Sequence, residues 1–479
     1  MTRARRHVRG LAARGAAGGL LVLATGCGVA PPESRVAAVA SMAPGSWSAS
    51  RPARAGIDRN WIRRFGDPLL NKVVAAALAN NLDLRVAAER VRRAEAVARL
   101  AGASRLPQGQ GRFTATQSKQ NFTGFPIPIG STTSGTYGAS LDINWELDVW
   151  GRVRAGQRAA LADLQASGLD FQAVLTSLAA QVAKAWFALG EANDQIRLAV
   201  SVIEVREKIA GSVRERFMEA LIEEGGLASQ LRLAESDLAT SRATLARWGA
   251  ERERVLRQIE LLVGRYPSGV PFTIHGLADP PPRPPAGLPS ELLQRRPDIL
   301  AAERRFAAAG SRREAARLAR YPSFTLTGSR GTSTDSLREV LSSKFGVWSL
   351  AGGVVQPIFT GGRLKEEERL AASEERIALG QLQQTVLRSF GEVEQALVAD
   401  VYYDKRIAAV KEAVELAREA AEAAVEDFAD GAVDALTLLS AQGSAVQSAI
   451  DLVELRRLRL ENRVDLHLAL GGDFNLRGK

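Results

Sequence analysis

Polar and apolar side chains alternate along residues 141–149, and this stretch offers the chain's most evident chemistry. Its even positions carry carboxylates or an amide, at Asp142, Asn144, Glu146 and Asp148. Two carboxyl groups facing each other across a cleft could act as the acid and base of a glycoside hydrolase. In an extended strand, however, side chains at every second position point to the same face. The alternation therefore favours a polar wall lining a wet lumen over a catalytic pair.

Other catalytic and metal chemistry has few residues to draw on. The three histidines lack ligand-spaced partners, and His467 lies on a helical seam, where we expect it to be packed. The single cysteine, Cys27, excludes an internal disulfide framework and a cysteine-based zinc site. The sequence contains no Walker-type phosphate loop. We therefore predict a protein that is not an enzyme and that needs neither cofactor nor metal.

The N-terminus has the pattern of an export signal over residues 1–26, with four arginines followed by a short apolar core. That core is shorter than the roughly 20 apolar residues of a transmembrane helix. Ala24-Thr25-Gly26-Cys27 resembles a bacterial lipobox, with Ala24 in place of the usual leucine. We expect lipidation at Cys27; the alternative is an ordinary cleavage site. Residues 27–60 are then a lipid-anchored, extended tether, and the ordered body begins at Trp61.

The net charge of +10 raises the question of nucleic-acid binding. Basic residues are interspersed with glutamates, as in residues 251–254 and 365–369, which is typical of a solvated helical face. We therefore predict no nucleic-acid partner. No apolar run beyond the signal looks long enough for a membrane helix, so any membrane crossing must use strands.

The chain is predicted to contain two copies of one plan, residues 61–278 and 287–474, joined by a Pro-rich linker (279–286) and followed by a tail (475–479). Asp83 and Asp298 are 215 positions apart, as are Pro107 and Pro322. The sequence pattern of each copy predicts short helices, two strands and two long helices. The strands span about 110–118, 136–149, 323–329 and 347–359, and the long helices about 151–221, 227–264, 362–429 and 434–470. Strand passes directly into helix at the junction residues Gly151, Arg152, Gly362 and Arg363.

The long helices carry apolar residues seven positions apart, beginning at Leu161, Gly168 and Leu175. Sustained seven-residue spacing indicates left-handed coiled-coil packing. Some 70 residues at roughly 1.5 Å each give a rod on the order of 100 Å long. A plain coiled-coil spacer has the same periodicity, so a lipid-anchored structural or adaptor protein without a pore is the competing interpretation.

The alternating strand matches the wall of a membrane β-barrel, with Leu141, Ile143 and Trp145 facing lipid and the acids facing the lumen. Tyr137, Trp150 and Trp348 suit the interfacial aromatic girdles. A soluble half-buried sheet would show the same alternation. Because four strands cannot close a barrel, whose minimum is about eight, several chains must contribute. A dimer would supply eight strands and a trimer twelve.

Three blocks of sequence resemble the outer-membrane efflux family typified by TolC and OprM, and within it the NodT-like lipoproteins. They are residues 145–153 (WELDVWGRV), 287–299 (GLPSELLQRRPDI) and 356–364 (QPIFTGGRL). The resemblance implies an α+β membrane protein: a trimeric 12-stranded outer-membrane β-barrel, four strands per chain, fused to a periplasmic α-helical barrel. It further implies an exit duct for a tripartite pump, which passively conducts small molecules (drugs, toxic compounds or metals) from the periplasm to the exterior. The implied partners are two further copies of the chain, outer-membrane lipid, a periplasmic adaptor and an inner-membrane transporter of the resistance-nodulation-division class.

The resemblance also places a periplasmic gate at the start of the last long helix. OprM-like members close it with leucine, aspartate and arginine; here the matching positions are Leu436, Ser440 and Gly443. Asp430 and Asp434 lie just upstream and could supply an acidic ring. We therefore expect closure to depend less on ion pairs, with Leu436 as the constriction.

Overall fold

The computed structural model describes residues 39, 41–49, 61–121, 130–222, 228–270, 272 and 276–472 of the 479-residue chain. The predicted signal peptide, Cys27 and the tail 475–479 lie outside the described residues, as does most of the predicted tether.

The first half of the chain begins with a short 3-10 turn and two helices that have well-defined N-caps. The Asp67 carboxylate accepts hydrogen bonds from the first-turn N–H groups of one helix, and the Asn81 side chain does so for the next. In chain order the elements are the turn Trp61–Phe65, α1 (Pro68–Asn80), α2 (Leu82–Ala103), β1 (Gln108–Asn121), β2 (Ser131–Leu147), α3 (Arg152–Ile222) and α4 (Ala228–Val263).

The second half repeats this order after the Pro-rich linker, in which the structure assigns no helix or strand to the described residues. Pro297 occupies the first turn of α6, where its missing N–H costs nothing. The elements are the single turn α5 (Pro289–Leu292), α6 (Pro297–Leu318), β3 (Ser323–Thr334), the 3-10 turns Leu337–Glu339 and Ser343–Phe345, β4 (Gly346–Val355), α7 (Arg363–Ala429) and α8 (Ala435–Ala469).

The observed bounds differ from the predicted ones in all four strands. β1 and β3 are longer than expected, reaching Asn121 and Thr334, and β2 begins at Ser131 and ends at Leu147, where about 136–149 was expected. β4 ends at Val355, not near Phe359, and the Pro357 that follows has no N–H with which to extend a strand. The strands therefore do not run directly into the helices; short connectors separate them.

The four strands form one antiparallel sheet in the order β1-β2-β3-β4, and the helices form rows in the matching order. Near the sheet α2 packs on α3, α3 on α6 and α6 on α7; farther away α4 packs on α3, α3 on α8 and α8 on α7. At 71 residues, α3 is about 105 Å long. The sheet and the helical rows end at the same two edges. One edge is formed by β1 with α2 and α4, and the other by β4 with α7.

One helix among the described residues, α3, has an 18-residue window apolar enough for a membrane span, which the sequence reading did not anticipate. Its mean hydropathy is 1.3, and 61% of the window is buried within the chain. The core around Leu178, Val182 and Trp186 explains this composition, because these side chains pack on α1, α4 and α8. We therefore interpret the window as the core segment of a long helix.

Part of the predicted tether is docked on the body, which corrects the expectation of an extended segment throughout 27–60. Trp47 is 3% exposed; its Nε1 donates to the carbonyl oxygens of Ala286 and Gly287 at 3.2 and 3.1 Å. Its ring also meets Phe390 of α7 edge-on, with the centroids 6.0 Å apart. Residues 41–49 therefore hold the linker against α7.

Candidate functional site: the sheet, its junctions and the helical tip

The strand register separates the sheet into an apolar and a polar face, because residues directly opposite each other in an antiparallel pair share a face. Leu141 pairs with Gly111 and Arg330, and Ile143 with Gly109 and Gly328. The apolar face contains Phe113, Tyr137, Ala139, Leu141, Ile143, Trp145, Leu147, Phe324, Leu326, Trp348, Leu350 and Val354, together with Arg330 and, nearer the β1–β2 loop, Gln117 and Lys119. The polar face contains Gln110, Arg112, Thr114, Ser140, Asp142, Asn144, Glu146, Thr325, Thr327, Ser329 and Ser349, together with Val347, Ala351 and Val355 of β4.

Three of the four predicted lumen residues, Asp142, Asn144 and Glu146, lie together on the polar face. The Asp142 carboxylate is 3.2 Å from Arg112 Nε and accepts a 2.7 Å hydrogen bond from Ser329 Oγ. Glu146 accepts two hydrogen bonds from Arg152 Nη2, each 2.7 Å long. The acids are therefore bonded to neighbouring strands and to the helix below, as expected of a polar wall and not of a catalytic pair.

Asp148 is not on this face, because β2 has already ended at Leu147. Its carboxylate accepts hydrogen bonds from the backbone N–H groups of Val153 (2.9 Å) and Arg154 (2.8 Å), in the first turn of α3. Burial raises the pKa of Asp148, but these hydrogen bonds outweigh it and hold the pKa below its usual range. Asp148 thus caps the long helix, and its prediction as a lumen residue was wrong.

The substitution Asp148→Ala should destabilise the start of α3 by about 0.5–2 kcal/mol, as removal of an N-cap usually does. Because the folded pKa is lowered, the stabilisation is complete above the ordinary carboxylate pKa near 4 and is lost as the pH falls through the folded value. The apparent melting temperature, measured against pH, should differ from wild type at neutral pH and converge in acid. Glu146→Ala is the matched control, because its half-exposed pair with Arg152 is worth less than about 1 kcal/mol. A variant that melts like wild type at neutral pH would refute the capping role.

Both Gly-Arg pairs lie in the connectors between strand and helix, and the glycine of each has a positive φ. Gly151 has φ 88° and Gly362 has φ 85°, a region that other residues rarely adopt. The arginine after each glycine forms an ion pair, Arg152 with Glu146 and Arg363 with Glu367, both at 2.7 Å. At both junctions the glycine therefore supplies the left-handed backbone turn that immediately precedes the long helix.

Aromatic side chains surround the first junction. Trp150 Nε1 donates to the carbonyl oxygen of Pro322 at 2.8 Å, and its ring lies 5.5 Å from Tyr321 and 6.3 Å from Phe324. Trp145 Nε1 donates to the Arg105 carbonyl at 2.9 Å. Aromatic rings with bonded polar ends are characteristic of the membrane–water interface. This cluster therefore marks the lower boundary of the apolar face.

At the opposite end of the helices, the predicted gate residues lie on the connection between α7 and α8. Asp430 follows the last residue of α7, and Asp434 is the N-cap of α8. The Asp434 carboxylate accepts from Thr437 N (2.8 Å) and Oγ1 (2.7 Å), and these bonds lower its pKa. Leu436 is 59% exposed, whereas its neighbours Ala435, Leu438 and Leu439 are buried. Ser440 and Gly443 follow Leu436 at helical spacings of four and seven residues, on one face.

Sequence reasoning missed the buried ion pairs that hold the helical rows together. Asp400 and Arg463 are each 2% exposed and lie 3.0 Å apart, and Arg283 of the linker is 3.0 Å from the other Asp400 oxygen. Arg296 contacts Asp298, Glu392 and the Ala469 carbonyl. Nothing in the local patterns distinguishes these residues from the many exposed charges of the helices; the Arg-Pro-Asp at 296–298 is the one visible signal.

Comparison with known proteins identifies this arrangement of sheet and helices. The family model "Outer membrane efflux protein" matches residues 73–265 and 288–472. The chain is 31% identical over 440 residues to the pyoverdine export outer membrane protein OpmQ of Pseudomonas putida, covering 90% of this chain and 92% of that protein. It is 29% identical over 420 residues to the toluene efflux pump outer membrane protein TtgF of the same species, covering 87% and 86%.

Solved structures agree. The outer-membrane channel OprN superposes with a TM-score of 0.84 at 28% identity, covering 90% of this chain and 96% of that one. The open-state MtrE channel of Neisseria gonorrhoeae superposes with a TM-score of 0.77 at 29% identity, covering 90% and 95%. The two segments matched by the family model also correspond to the two halves of the internal repeat. This chain belongs to the outer membrane efflux protein family.

Proposed function

We propose that this chain is the exit duct of a tripartite efflux pump, through which small molecules pass passively from the periplasm to the exterior. It is an outer-membrane efflux channel with the fold of the trimeric TolC-like channels, a 12-stranded barrel continued by a helical barrel. The relatives export pyoverdine and toluene, which supports small organic molecules as cargo. Energy for transport would come from an inner-membrane transporter, coupled through a periplasmic adaptor.

The observation that carries the proposal is the pair of open edges. The sheet ends in unpaired β1 and β4, and each edge continues into an edge helix. In a bilayer such edges must be paired, because unsatisfied backbone groups are too costly in hydrocarbon. If β4 of one copy pairs with β1 of the next, α7 meets α2 and α4 of that same neighbour. This interface, repeated three times around a trimer, would then close both the sheet and the helical rows.

Exposed apolar residues on both edges support this contact. On the β4–α7 edge, Ile358 is 95% and Phe359 is 90% exposed. On the α2 edge, Leu100 and Leu106 are 70% and 62% exposed. Large apolar side chains that are this exposed in one chain, at the end of a sheet edge, indicate a surface that is buried in an interface with another chain. We therefore propose a homotrimer whose interface includes these four residues.

We further propose that the mature chain is anchored to the outer membrane by lipid on Cys27. The lipobox-like Ala24-Thr25-Gly26-Cys27 supports this. Trp47, which packs against the linker and Phe390 of α7, lies only 20 residues after Cys27 in the chain. Palmitate labelling that persists in a Cys27→Ala variant would refute lipidation at this residue.

The exit-duct proposal is tested by deleting the gene in its host and measuring accumulation of a fluorescent, small organic pump substrate. Accumulation should rise and return to the wild-type level when the gene is restored. The control strain lacks the inner-membrane transporter instead, and the double deletion should add nothing to either single deletion. Unchanged accumulation in the channel deletion, with the transporter deletion still effective, would overturn the proposal.

For the gate, we propose that Leu436 forms the constriction of the periplasmic tip. Asp434 is already engaged by Thr437, which leaves it less able to form an ion pair across the pore. Leu436→Ala should therefore increase entry of vancomycin-sized solutes, measured as a several-fold fall in the inhibitory concentration. Glu419→Gln, which removes an exposed charge from α7 outside the proposed gate, serves as the control and should change nothing. If Leu436→Ala left leakage unchanged while Asp434→Ala raised it sharply, the constriction would lie at the acids.

A further inference from the structure

Arg330 is a charged residue on the apolar face of the sheet. It pairs with Leu141 of β2 and Trp348 of β4, so all three side chains share that face. It is exposed, and within the described part of the chain its guanidinium has no hydrogen bond or ion pair. An arginine on the lipid-facing side of a barrel costs about 2–4 kcal/mol at the bilayer midplane and about 0–1 near the interface. Its depth therefore decides what it can contact.

The β3–β4 hairpin places Arg330 close to the outer interface. The last pair of this hairpin is Thr332 with Gly346, only two residues above, or about 7 Å along the strand. The loop that follows, residues 335–345, carries Asp335, Arg338, Glu339 and Lys344 and cannot lie in hydrocarbon. Because Thr332 and Gly346 are small, the long Arg330 side chain can extend past them towards the headgroups.

Arg330 supplies the positive charge beside an apolar groove. The charges of residues 331–348 balance, with two basic and two acidic side chains, so Arg330 alone makes this segment net positive. Trp348 and Leu341 are 79% and 85% exposed. An open groove of about 760 Å³ runs beside Arg330, bordered by Leu141, Ile143 and Trp348. An anion with an attached apolar chain could therefore pair its charge with Arg330 and place its chain in the groove.

We infer that this groove binds the phosphate-bearing headgroup of a lipid in the outer leaflet, with the phosphate on Arg330 and an acyl chain along Leu141 and Ile143. The arginine fork matches a phosphate bidentately, and Trp348 suits the interfacial position of the headgroup. The inference rests on the membrane orientation given under the proposed function. It assigns the outer surface of each subunit one lipid site.

Native mass spectrometry of the detergent-purified protein, titrated with bisphosphorylated lipid A or with its dephosphorylated form, tests this inference. Wild type should bind the phosphorylated lipid more tightly. Arg330→Gln should weaken that binding about fivefold per site, equivalent to about 1 kcal/mol for one basic residue at a membrane surface, with little effect on the dephosphorylated lipid. Arg330→Lys should restore most of the difference. Lys411→Gln, which removes an exposed charge from α7, should bind like wild type.

Two outcomes would overturn the lipid site. One is that wild type binds the phosphorylated and dephosphorylated lipids equally tightly, and that Arg330→Gln leaves both affinities unchanged. The other is competition by millimolar inorganic phosphate, which would indicate a site for free anions. The same spectra count the subunits, so a monomer would contradict the proposed trimer separately from the lipid site.

Discussion

Arginine in place of Ile143 should abolish trimer assembly in the outer membrane, whereas arginine in place of the next residue, Asn144, should be tolerated. Ile143 is on the apolar face and pairs with Gly328, about 7 Å deeper along the strand than the pair that contains Arg330. A charge near the midplane costs about 2–4 kcal/mol, and three copies would triple this. Asn144 is on the polar face, opposite Thr327, where a charge stays in water.

The measurement is the heat-modifiable trimer band in outer-membrane fractions. Ile143→Arg should lose the band, and Asn144→Arg should retain it at close to the wild-type level. Because the two positions are adjacent, strand propensity and expression are matched between the variants. Equal assembly of both, or loss of the band in Asn144→Arg alone, would show that the faces are assigned the wrong way round or that the sheet is not in lipid.

Asp400→Ala should cause the largest loss of stability among single changes in the helical rows. Asp400 is buried between Arg463 of α8 and Arg283 of the linker, at 3.0 Å from each. Burial lowers the pKa of Arg463, and the nearby Asp400 carboxylate opposes this shift. Removing one member of a buried pair leaves an uncompensated charge and typically costs about 3–5 kcal/mol. The linker would also lose one of its attachments to α7.

Asp404→Ala is the matched control, one helical turn farther along α7. Asp404 pairs with Arg459, but its side chain is 54% exposed, so that pair should be worth less than about 1 kcal/mol. The apparent melting temperature of the detergent-purified trimer should fall by many degrees for Asp400→Ala and barely change for Asp404→Ala. Similar melting temperatures for the two variants would refute a stabilising role for the buried pair.

Much of the sheet could be predicted from residues 141–149, because alternation in one strand determines which of its side chains face lipid. The faces of β1 and β4 could not, since Gly109, Gly111 and Gly352 carry no side chain to show a pattern. Asp148 was misplaced because the alternation continues in sequence for two residues, Asp148 and Val149, beyond the end of β2 at Leu147. Its hydrogen bonds from the N–H groups of Val153 and Arg154, which the alternation does not reveal, show that its carboxylate caps the helix.

The helical seams were predicted in part. Leu175, Val182 and Leu189 of the seven-residue series are buried, as expected of seam positions. Leu161 of the same series is 42% exposed, while Ala155, Ala159 and Ala166 are buried where α3 passes α6. Near the sheet, α3 therefore packs on its neighbouring helices through small residues. A seven-residue pattern of large apolar side chains does not reveal these contact positions. The proposed gate could not be derived from one chain, because a constriction at Leu436 would be formed by side chains from three copies.

The central claim, that copies of this chain form a water-filled pore through a membrane, is tested most directly by single-channel recording in planar lipid bilayers. Purified protein should insert as discrete, uniform conductance steps, and Asn144→Arg should alter the ion selectivity of those steps, because residue 144 is on the polar face. Well-folded protein that remains monomeric and gives no steps under the same conditions would contradict the account.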